Sequence, residues 1–183
     1  MSKYFITNVN DTDVLEIRIQ RLSNDTRGQN YVLADPELSM ALEEHTYTRF
    51  VQWNLTRSVK HSLRGMHLQI PPNGQGKLVI LLKGKIRDAW IDMRQNSLKY
   101  LYSGHLDLDM ESSLNAIYIP PGYAHGFEAL EDSTVLYGLT TSYEPRAERS
   151  ICYNSCRIDW IEPKYLSKKD AGAPTLDEFL NTL

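Results

Sequence analysis

The segment LRGMHLQIPPNGQGKLVILLKGK, residues 63–85, brings together three side chains with different chemistry, Arg64, His67 and Lys77. A histidine is the commonest general base for removing a proton next to a carbonyl, because its pKa lies near neutrality. A lysine can stabilise the enolate oxygen that develops, and an arginine suits a phosphate group. A single histidine beside a strand is more often structural. The segment therefore predicts acid–base chemistry only if further groups converge on it.

Two later segments supply candidate partners. In IYIPPGYAHGF, a Pro-Pro-Gly turn leads into His125, which lies either on a barrel wall or at its mouth, or is a structural histidine. In VLYGLTTSYEP, Tyr137 alternates with Val135 and Leu139 along a predicted strand. A tyrosine can return a proton to the face of a carbon opposite the base, although a core tyrosine is the simpler interpretation. These segments add a second histidine and a candidate acid.

A divalent-metal site is the main alternative chemistry. The pattern PxGxxH resembles the second motif of the cupins, small jelly-roll barrels whose metal-binding members carry His-x-His followed by Glu in their first motif. Here the matching stretch is HLQ at residues 67–69, and the remaining histidines are His45, His61 and His105. A metal ion needs three or four convergent ligands, and a lysine in the same cavity would repel it. The sequence therefore disfavours a metal-dependent oxygenase, and we expect no metal ligands.

A mostly β structure is predicted to position these residues. Short β-type runs separated by turn residues cover positions 14–160, which is typical of a sandwich or jelly roll rather than an α/β sheet. The predicted strands are 14–21, 48–56, 78–82, 86–93, 116–119, 125–130 and 134–141. Lys83-Gly84 predicts a tight hairpin turn, because glycine accepts positive φ. In the run 86–93, Asp88, Trp90 and Asp92 share one face, which could line a pocket.

Helical signals are few and lie at the periphery. Asp35-Pro36 predicts a helix start, with Asp as the N-cap and Pro at the first helical position, leading into residues 37–44. Thr175 and Glu178 form a capping box that predicts a short C-terminal helix. No linker or repeat divides the sequence. We therefore expect residues 1–183 to form one all-β domain, a jelly-roll sandwich or barrel with a few short helices.

The composition restricts the partners. The chain has 183 residues, 42% of them hydrophobic, a formal net charge of −3 and a pI of about 5.9. Nucleic-acid-binding proteins usually present a basic face, so we expect no nucleic-acid partner. No run approaches the roughly 18 apolar residues of a membrane span, and the first residues lack the apolar core of a signal peptide. Cys152 and Cys156, spaced CxxxC, predict reduced thiols in a cytoplasmic protein.

Several ordered motifs together resemble the dTDP-4-dehydrorhamnose 3,5-epimerase family. They are LRGMHLQ, QGKLV, GKIRDAWIDMR, IYIPPGYAHGF, VLYGLTTSYEP, IDW and YLSKKDAGAP, and the likeness runs from residue 25 or so to near residue 175. The resemblance implies a cupin-type jelly roll, a homodimer with exchanged N-terminal strands, and no metal or organic cofactor. It also implies a small-molecule substrate, a nucleotide-linked 4-keto-6-deoxyhexose that is epimerised at C3 and C5.

The resemblance further implies a role for each matching residue. His67 matches the general base and Asp170 the carboxylate that pairs with it. Lys77 matches the lysine that stabilises the enolate, and Tyr137 matches the acid on the other face. His125 and Asp88 match a pair inside the barrel, in which His125 is also a candidate for binding substrate and Asp88 supports it. The residues that match positions near the diphosphate, sugar and nucleotide are Arg27, Gln52, Asn54, Arg64 and Tyr143.

The nucleotide-recognising segments depart from the family pattern. The family usually has Arg-Gly, then aromatic residues and a Glu, whereas this chain has RGQNYV at 27–32. WNL at 53–55 stands where Asp-Asn-His is common, and Gly138 stands where Lys is frequent. The base (thymidine, cytidine or another) stays open, as does epimerisation at C3 or C5 alone. A sugar-nucleotide binding module is a further alternative, but it would not need His67, Lys77 and Tyr137 together.

Overall fold

A computed structural model describes residues 3–43, 49–110 and 115–182. The strands in these ranges are Tyr4–Asn8 (β1), Leu15–Ile19 (β2), Arg21–Asp25 (β3), Gly28–Tyr31 (β4), Gln52–Ser58 (β5), Leu63–Gln69 (β6), Lys77–Lys83 (β7), Lys85–Asp92 (β8), Ser103–Asp109 (β9), Asn115–Ile119 (β10), Tyr123–Ala129 (β11), Ser133–Leu139 (β12) and Glu148–Ser150 (β13). The helices are Pro36–Glu43 (α1), Lys168–Ala171 (α2) and Leu176–Leu180 (α3), and Tyr153–Ser155 forms a 3-10 turn.

Two antiparallel sheets form a sandwich. One has the strand order β1-β2-β10-β7-β12-β5 and the other β13-β6-β11-β8-β9. A buried cluster that includes Val79 and Trp90 fills the space between them. A second cluster buries Leu78 together with Leu38 of α1, and a third contains Phe179 of α3. Successive residues of β7 therefore enter different clusters, which explains its unbroken apolar sequence. The prediction of an all-β, jelly-roll-type sandwich with short helices is confirmed.

Each predicted run contains a strand, although the boundaries differ by a few residues. Position 48 lies outside the described residues. The strands that the pattern missed are β1, β4, β6, β9, β13 and nearly all of β3. Strands β1, β9 and β13 lie at sheet edges, and β3 and β4 pair only with each other. None of the residues of β3, β4 and β13 is buried, and β1 and β9 each bury one, so the apolar pattern of these segments is weak. Strand β6 is central, but Gly65 interrupts its alternation.

The hairpin predicted at Lys83-Gly84 is wrong. Strand β7 pairs with β10 and β12, whereas β8 pairs with β11 and β9, so the two strands belong to different sheets. Gly84 does have a positive φ of 81°, and a Cβ there would lie 2.5 Å from the main-chain oxygen of Asp132. The turn carries the chain from one sheet to the other, and local turn chemistry does not distinguish such a corner from a hairpin.

Both predicted helix starts are confirmed. Asp35 Oδ1 accepts a hydrogen bond from the Leu38 N–H at 3.2 Å, and α1 begins at Pro36. Its expected end, position 44, lies outside the described residues. The Thr175–Glu178 capping box precedes α3 as predicted. In the described ranges no helix has the length and apolar character needed to cross a membrane.

Candidate active site

A cavity of about 410 Å³ lies between the two sheets. Strands β5, β7 and β12 contribute to it from one sheet, β6, β11 and β13 from the other, and α2 adds further residues. The predicted site residues that line it are Gln52, Asn54, Arg64, His67, Lys77, His125, Tyr137, Tyr143 and Asp170. In the part of the chain that the structure describes, no group of three or more His, Cys, Asp or Glu side chains is placed to hold a metal ion.

His67 and Asp170 form a close pair across 103 positions of sequence. His67 Nε2 lies 2.6 Å from Asp170 Oδ1, and Ser167 caps α2 so that Asp170 points back to β6. Burial opposes ionisation of Asp170, yet its contacts with His67 and Ser167 outweigh burial and hold the pKa of this carboxyl below its ordinary value. An ionised carboxylate accepts the proton on Nε2, so neutral His67 has its lone pair on Nδ1. That nitrogen can act as the base.

A β-bulge brings Arg64 and His67 to the same cavity. Strict alternation would place two residues three positions apart on opposite faces of a strand. His67 opposes His125 and Arg64 opposes Phe127, so β6 has one residue more than β11 over this stretch. Gly65 lies in the middle with φ of 127°, and a Cβ on it would lie 2.5 Å from the Gly126 Cα. The bulge therefore decides which side chains of β6 line the cavity.

His125 is held from behind by Asp88. Its Nε2 lies 2.9 and 3.0 Å from the two carboxylate oxygens, and both residues are almost fully buried. Burial lowers the pKa of His125, and the charge of Asp88 offsets this only in part, which favours the neutral imidazole. Asp88, Trp90 and Asp92 do not line the cavity, so the prediction that their face forms a pocket wall is wrong. Trp90 packs in the core, and Asp92 binds Arg94 at 2.6 Å.

Lys77 begins β7 and places its ammonium group beside the base. Nζ donates a hydrogen bond to the main-chain oxygen of His67 at 3.1 Å. Burial lowers the pKa of Lys77 to about 8, while the charges of Glu148 and Asp88 act in the opposite direction. Lys77 is therefore mostly charged at neutral pH and loses that charge in mildly alkaline solution. It can supply a localised positive charge that water does not screen.

Tyr137 faces the cavity from the same sheet as Lys77, opposite the sheet that carries His67 and His125. It lies on β12 directly opposite Asn54, and its ring meets that of His125 edge to face at a centroid distance of 6.3 Å. Burial raises the pKa of Tyr137 well above its ordinary value, and the charge of Asp88 adds to this. Its hydroxyl has no hydrogen-bond partner among the described residues. The phenol therefore stays protonated and is available as a proton donor.

Hydrogen-bond donors are fixed at the polar end of the cavity. Gln52 Oε1 accepts from the Tyr143 N–H at 3.2 Å, and Gln52 Nε2 donates to Asn54 Oδ1 at 2.9 Å. Because a main-chain N–H orients the first amide, Asn54 is left to present its NH₂ group. Arg64 Nε donates to Ser58 Oγ at 2.8 Å, and Nη2 donates to a main-chain oxygen. Nη1 has no hydrogen-bond partner among the described residues, so its donors can meet an anion.

Arg27 is a predicted site residue that this chain does not bring to the cavity. It lies at the turn between β3 and β4, with an 88% exposed side chain whose Nη2 is 2.6 Å from Asp25 Oδ2. All of β3 is exposed, and β3 and β4 pair only with each other. Arg27 therefore does not line the cavity of its own chain.

Two charged residues at the cavity were missed by sequence reasoning. Glu148 on β13 and Lys169 on α2 form an ion pair at 2.7 Å, and the Tyr143 hydroxyl donates to the same carboxylate oxygen at 2.7 Å. Burial opposes ionisation of Glu148, but Lys169 and Tyr143 outweigh it and lower its pKa. Lys169 directly precedes Asp170 in the SKKD motif, so its proximity to a predicted site residue could have identified it. Glu148 lies in a three-residue edge strand with no distinctive pattern. The other unpredicted lining residues are Thr56, Gln75, Leu139 and Ser167.

Both the sequence and the fold are similar to those of known sugar-nucleotide epimerases. The dTDP-4-dehydrorhamnose 3,5-epimerase of Escherichia coli is 34% identical over 182 residues, which is 95% of this chain and 94% of the relative. The Legionella pneumophila dTDP-6-deoxy-D-glucose-3,5-epimerase, solved in complex with dTDP-4-keto-L-rhamnose, is 35% identical with a TM-score of 0.87, covering 95% of this chain and 93% of that one. ChmJ, a 3'-monoepimerase from Streptomyces bikiniensis solved with dTDP-quinovose, is 25% identical with a TM-score of 0.83, covering 96% and 90%. The family profile of dTDP-4-dehydrorhamnose 3,5-epimerase matches residues 8–178, and the chain belongs to this family.

Proposed function

We propose that the protein epimerises a nucleotide-linked 4-keto-6-deoxyhexose at C3 and C5. The observation that supports this most is the placement of a base and an acid on opposite walls of one cavity: His67 with Asp170 on one side, and Tyr137 on the other. Inversion of a carbon requires such an arrangement, because the proton leaves one face and another returns to the opposite face. A binding module would need neither the buried Lys77 nor the His67–Asp170 pair.

In the proposed mechanism, His67 Nδ1 takes the proton from a carbon next to the C4 ketone. C3 and C5 are both adjacent to the C4 ketone, so the same base can act on both carbons. The electrons of the broken C–H bond form the enolate, and the charge that develops on the C4 oxygen is stabilised by Lys77 Nζ. Tyr137 then gives its phenolic proton to the opposite face of the carbon, which regenerates the ketone. Exchange with water returns the proton to Tyr137 and removes it from His67.

The proposed nucleotide is dTDP, which is bound by the Legionella and Streptomyces relatives. The donors of Asn54 and Arg64 suit the oxygen acceptors of a diphosphate and of a pyrimidine carbonyl. Of the departure WNL at 53–55, only Asn54 lines the cavity, so the changed neighbours do not alter its wall directly. Most of the departure at residues 27–32 lies on the exposed β3–β4 hairpin, away from the cavity of its own chain. CDP is the nucleotide to compare with dTDP.

Epimerisation at one centre is the second candidate function. ChmJ, named as a 3'-monoepimerase, has the same fold as this chain, and the likeness covers 96% of this chain. A single-centre enzyme uses the same base and the same enolate, and differs in which carbon Tyr137 can reach. The two candidates predict different labelling patterns.

The experiment is incubation of the purified protein in deuterated water with a 4-keto-6-deoxyglucose linked to dTDP or to CDP. Deuterium at both C3 and C5 with inverted configuration is the expected result. Deuterium at one carbon identifies a single-centre epimerase, and its absence from both carbons with either nucleotide contradicts the proposal. The ratio of kcat/KM for the two nucleotides measures the base preference.

Deprotonation of Lys77 should produce a falling alkaline limb in the pH profile of kcat/KM. Its charged form exists below a pKa of about 8, so kcat/KM should fall above pH 8 as the ammonium loses its proton. In Lys77→Arg the guanidinium stays charged, so this limb should disappear even though the overall rate drops. Lys83→Arg, at the exposed far end of the same strand, is the matched control and should keep the limb. A limb near pH 8 that survives Lys77→Arg would assign it to another group.

We further propose a homodimer in which the N-terminal strands of one copy reach the cavity of the other. Arg27 and the whole of β3 are exposed, as expected of a segment that a second copy covers. Strand β5 is an edge strand next to the cavity. Its outer side chains Trp53 and Leu55 are exposed, as is Val51 just before the strand. An edge strand with exposed apolar residues is a ready pairing surface. The exchange would bring Arg27 to the diphosphate.

Mixed dimers test this arrangement. Arg27→Ala and His67→Ala should each be weakly active or inactive alone, but mixed and reassembled subunits should regain activity. One site in each heterodimer then has His67 from one chain and Arg27 from the other. If Arg27 serves its own chain, mixing restores nothing. Light scattering of the unmixed protein should give the mass of a dimer, and a monomer would contradict the proposal.

A further inference from the structure

Two buried glutamines, Gln69 and Gln75, bind the main chain of loops near the cavity, and they differ in whether the side-chain oxygen has a partner. Gln69 is fully used: Nε2 donates to the main-chain oxygens of Asn73 and Ser142, and Oε1 accepts from the Glu144 N–H at 2.7 Å. Gln75 Nε2 donates to the main-chain oxygen of Thr141 at 2.6 Å, but its Oε1 has no partner among the described residues. Gln75 is 7% exposed, so this unpaired acceptor belongs to a largely buried side chain.

The orientation of the Gln75 amide is fixed by its partner. A main-chain carbonyl can only accept, so the atom facing Thr141 must be the NH₂ group, and the carbonyl oxygen points elsewhere. Gln75 lines the cavity, whereas Gln69 does not. In the described ranges the only fully enclosed side-chain nitrogen or oxygen without a partner is Trp90 Nε1. The Gln75 oxygen is therefore not sealed into the protein and keeps access to the cavity.

The oxygen of a largely buried amide gains a hydrogen bond only from water or a ligand that enters the cavity. The donors already assigned in the cavity are Lys77, Arg64, Asn54 and Tyr137, which suit the ketone, the diphosphate and proton return. None of them can receive a hydrogen bond from a sugar hydroxyl in its assigned role. A hexose presents hydroxyl donors on its ring. The Glu148 and Asp170 carboxylates at the cavity already have protein partners, whereas the Gln75 oxygen has none among the described residues and is available to such a donor.

We propose that Gln75 Oε1 accepts a hydrogen bond from the C2 hydroxyl of the sugar, an inference that rests on the proposed function. Gln75 and Lys77 are two positions apart and both line the cavity. Lys77 Nζ is assigned to the C4 oxygen. Of the ring hydroxyls at C2 and C3, only the one at C2 keeps its position when C3 inverts, so an acceptor for it can hold the sugar throughout the reaction. Gly76 lies between them, where a Cβ would be 2.6 Å from the Tyr118 hydroxyl oxygen.

Binding of a sugar that cannot react separates this proposal from the proposed function. The probes are dTDP-quinovose, which has a hydroxyl in place of the C4 ketone, and the same compound without its C2 hydroxyl. Calorimetry should show that the unchanged protein binds the 2-deoxy probe roughly tenfold more weakly, as the loss of one neutral hydrogen bond predicts. Gln75→Met should bind both probes equally, with the affinity of the unchanged protein for the 2-deoxy probe.

Gln69→Met is the matched control, since it removes a similar tether away from the cavity. It should lower the melting temperature yet keep the tenfold preference for the C2 hydroxyl. The assignment of Gln75 would be overturned if Gln75→Met and the unchanged protein favoured dTDP-quinovose over its 2-deoxy analogue to the same degree. It would also be overturned if neither protein distinguished the two probes. Failure of the unchanged protein to incorporate deuterium from deuterated water would instead overturn the proposed function, because the binding measurement does not depend on turnover.

Discussion

Replacing His67 with alanine should lower kcat roughly a thousandfold, because no other group can then take the proton from C3 or C5. His125, the nearest alternative imidazole, is committed through Nε2 to Asp88 and is buried, with a lowered pKa that makes it a weak base. Deuterium uptake by the substrate should fall in parallel with product formation, since removal of the C–H proton precedes both. NMR of the sugar in deuterated water measures the two rates in one experiment.

Binding and folding must be shown to persist in His67→Ala. The affinity for dTDP-quinovose should stay within a few-fold, because the groups assigned to the diphosphate are Arg64 and its neighbours. His105→Ala is the control: this histidine is exposed on edge strand β9 and should be replaceable without effect on kcat. Near-normal turnover by a folded His67→Ala protein would refute the assignment of the base.

Replacing Tyr137 with phenylalanine should separate proton removal from inversion. His67 still forms the enolate, so deuterium should still enter the substrate from the His67 side. Without the phenolic proton on the other face, the inverted product should decrease by roughly 10²- to 10⁴-fold. The expected outcome is thus a substrate that is labelled but retains its configuration. Measuring label and stereochemistry together distinguishes this from a general loss of activity.

The phenylalanine substitution removes one oxygen from a cavity wall and leaves the ring in place. The described contacts of the Tyr137 hydroxyl include no hydrogen bond, so the melting temperature should change little. Tyr123→Phe is the matched control: Tyr123 is buried, and its hydroxyl accepts from Arg94 at 2.8 Å outside the cavity. That variant should lose some stability and keep the stereochemical outcome. Unchanged rate and product in Tyr137→Phe would exclude the tyrosine as the acid.

Two departures from the family pattern that look independent in the sequence are neighbours in the fold. Gly138 directly opposes Trp53 across the β12–β5 ladder. A Cβ at position 138 would lie 2.9 Å from Trp53 Cη2, so the indole occupies the space that a side chain there would need. The two departures are therefore coupled, because the absence of a side chain at Gly138 makes room for the Trp53 indole. It lies on the opposite strand face from Asn54 and Tyr137, whose place in the cavity wall is unaffected.

Local signals accounted for the class of fold and for most of the candidate site. The apolar pattern located the central strands other than β6, and capping chemistry located α1 and α3, because both depend on residues only a few positions apart. His125 and Tyr137 could be singled out because each is a reactive side chain in a predicted strand, and His67 and Lys77 because they precede the predicted strand 78–82 in one short segment. Their roles came from the resemblance of several ordered motifs to one family.

Contacts between distant segments were decided by the tertiary structure alone. The His67–Asp170 pair, which the family resemblance implied but no local signal indicated, joins residues 103 positions apart, and the register shift at Gly65 turns Arg64 to the cavity. The assignment of β7 and β8 to different sheets, and the position of Arg27 outside the cavity of its own chain, are of the same kind. Register and sheet order depend on which surfaces the whole chain can bury together, and no short stretch of sequence carries that information. The sequence by itself determined which residues can do the chemistry, and the fold decided which of them meet.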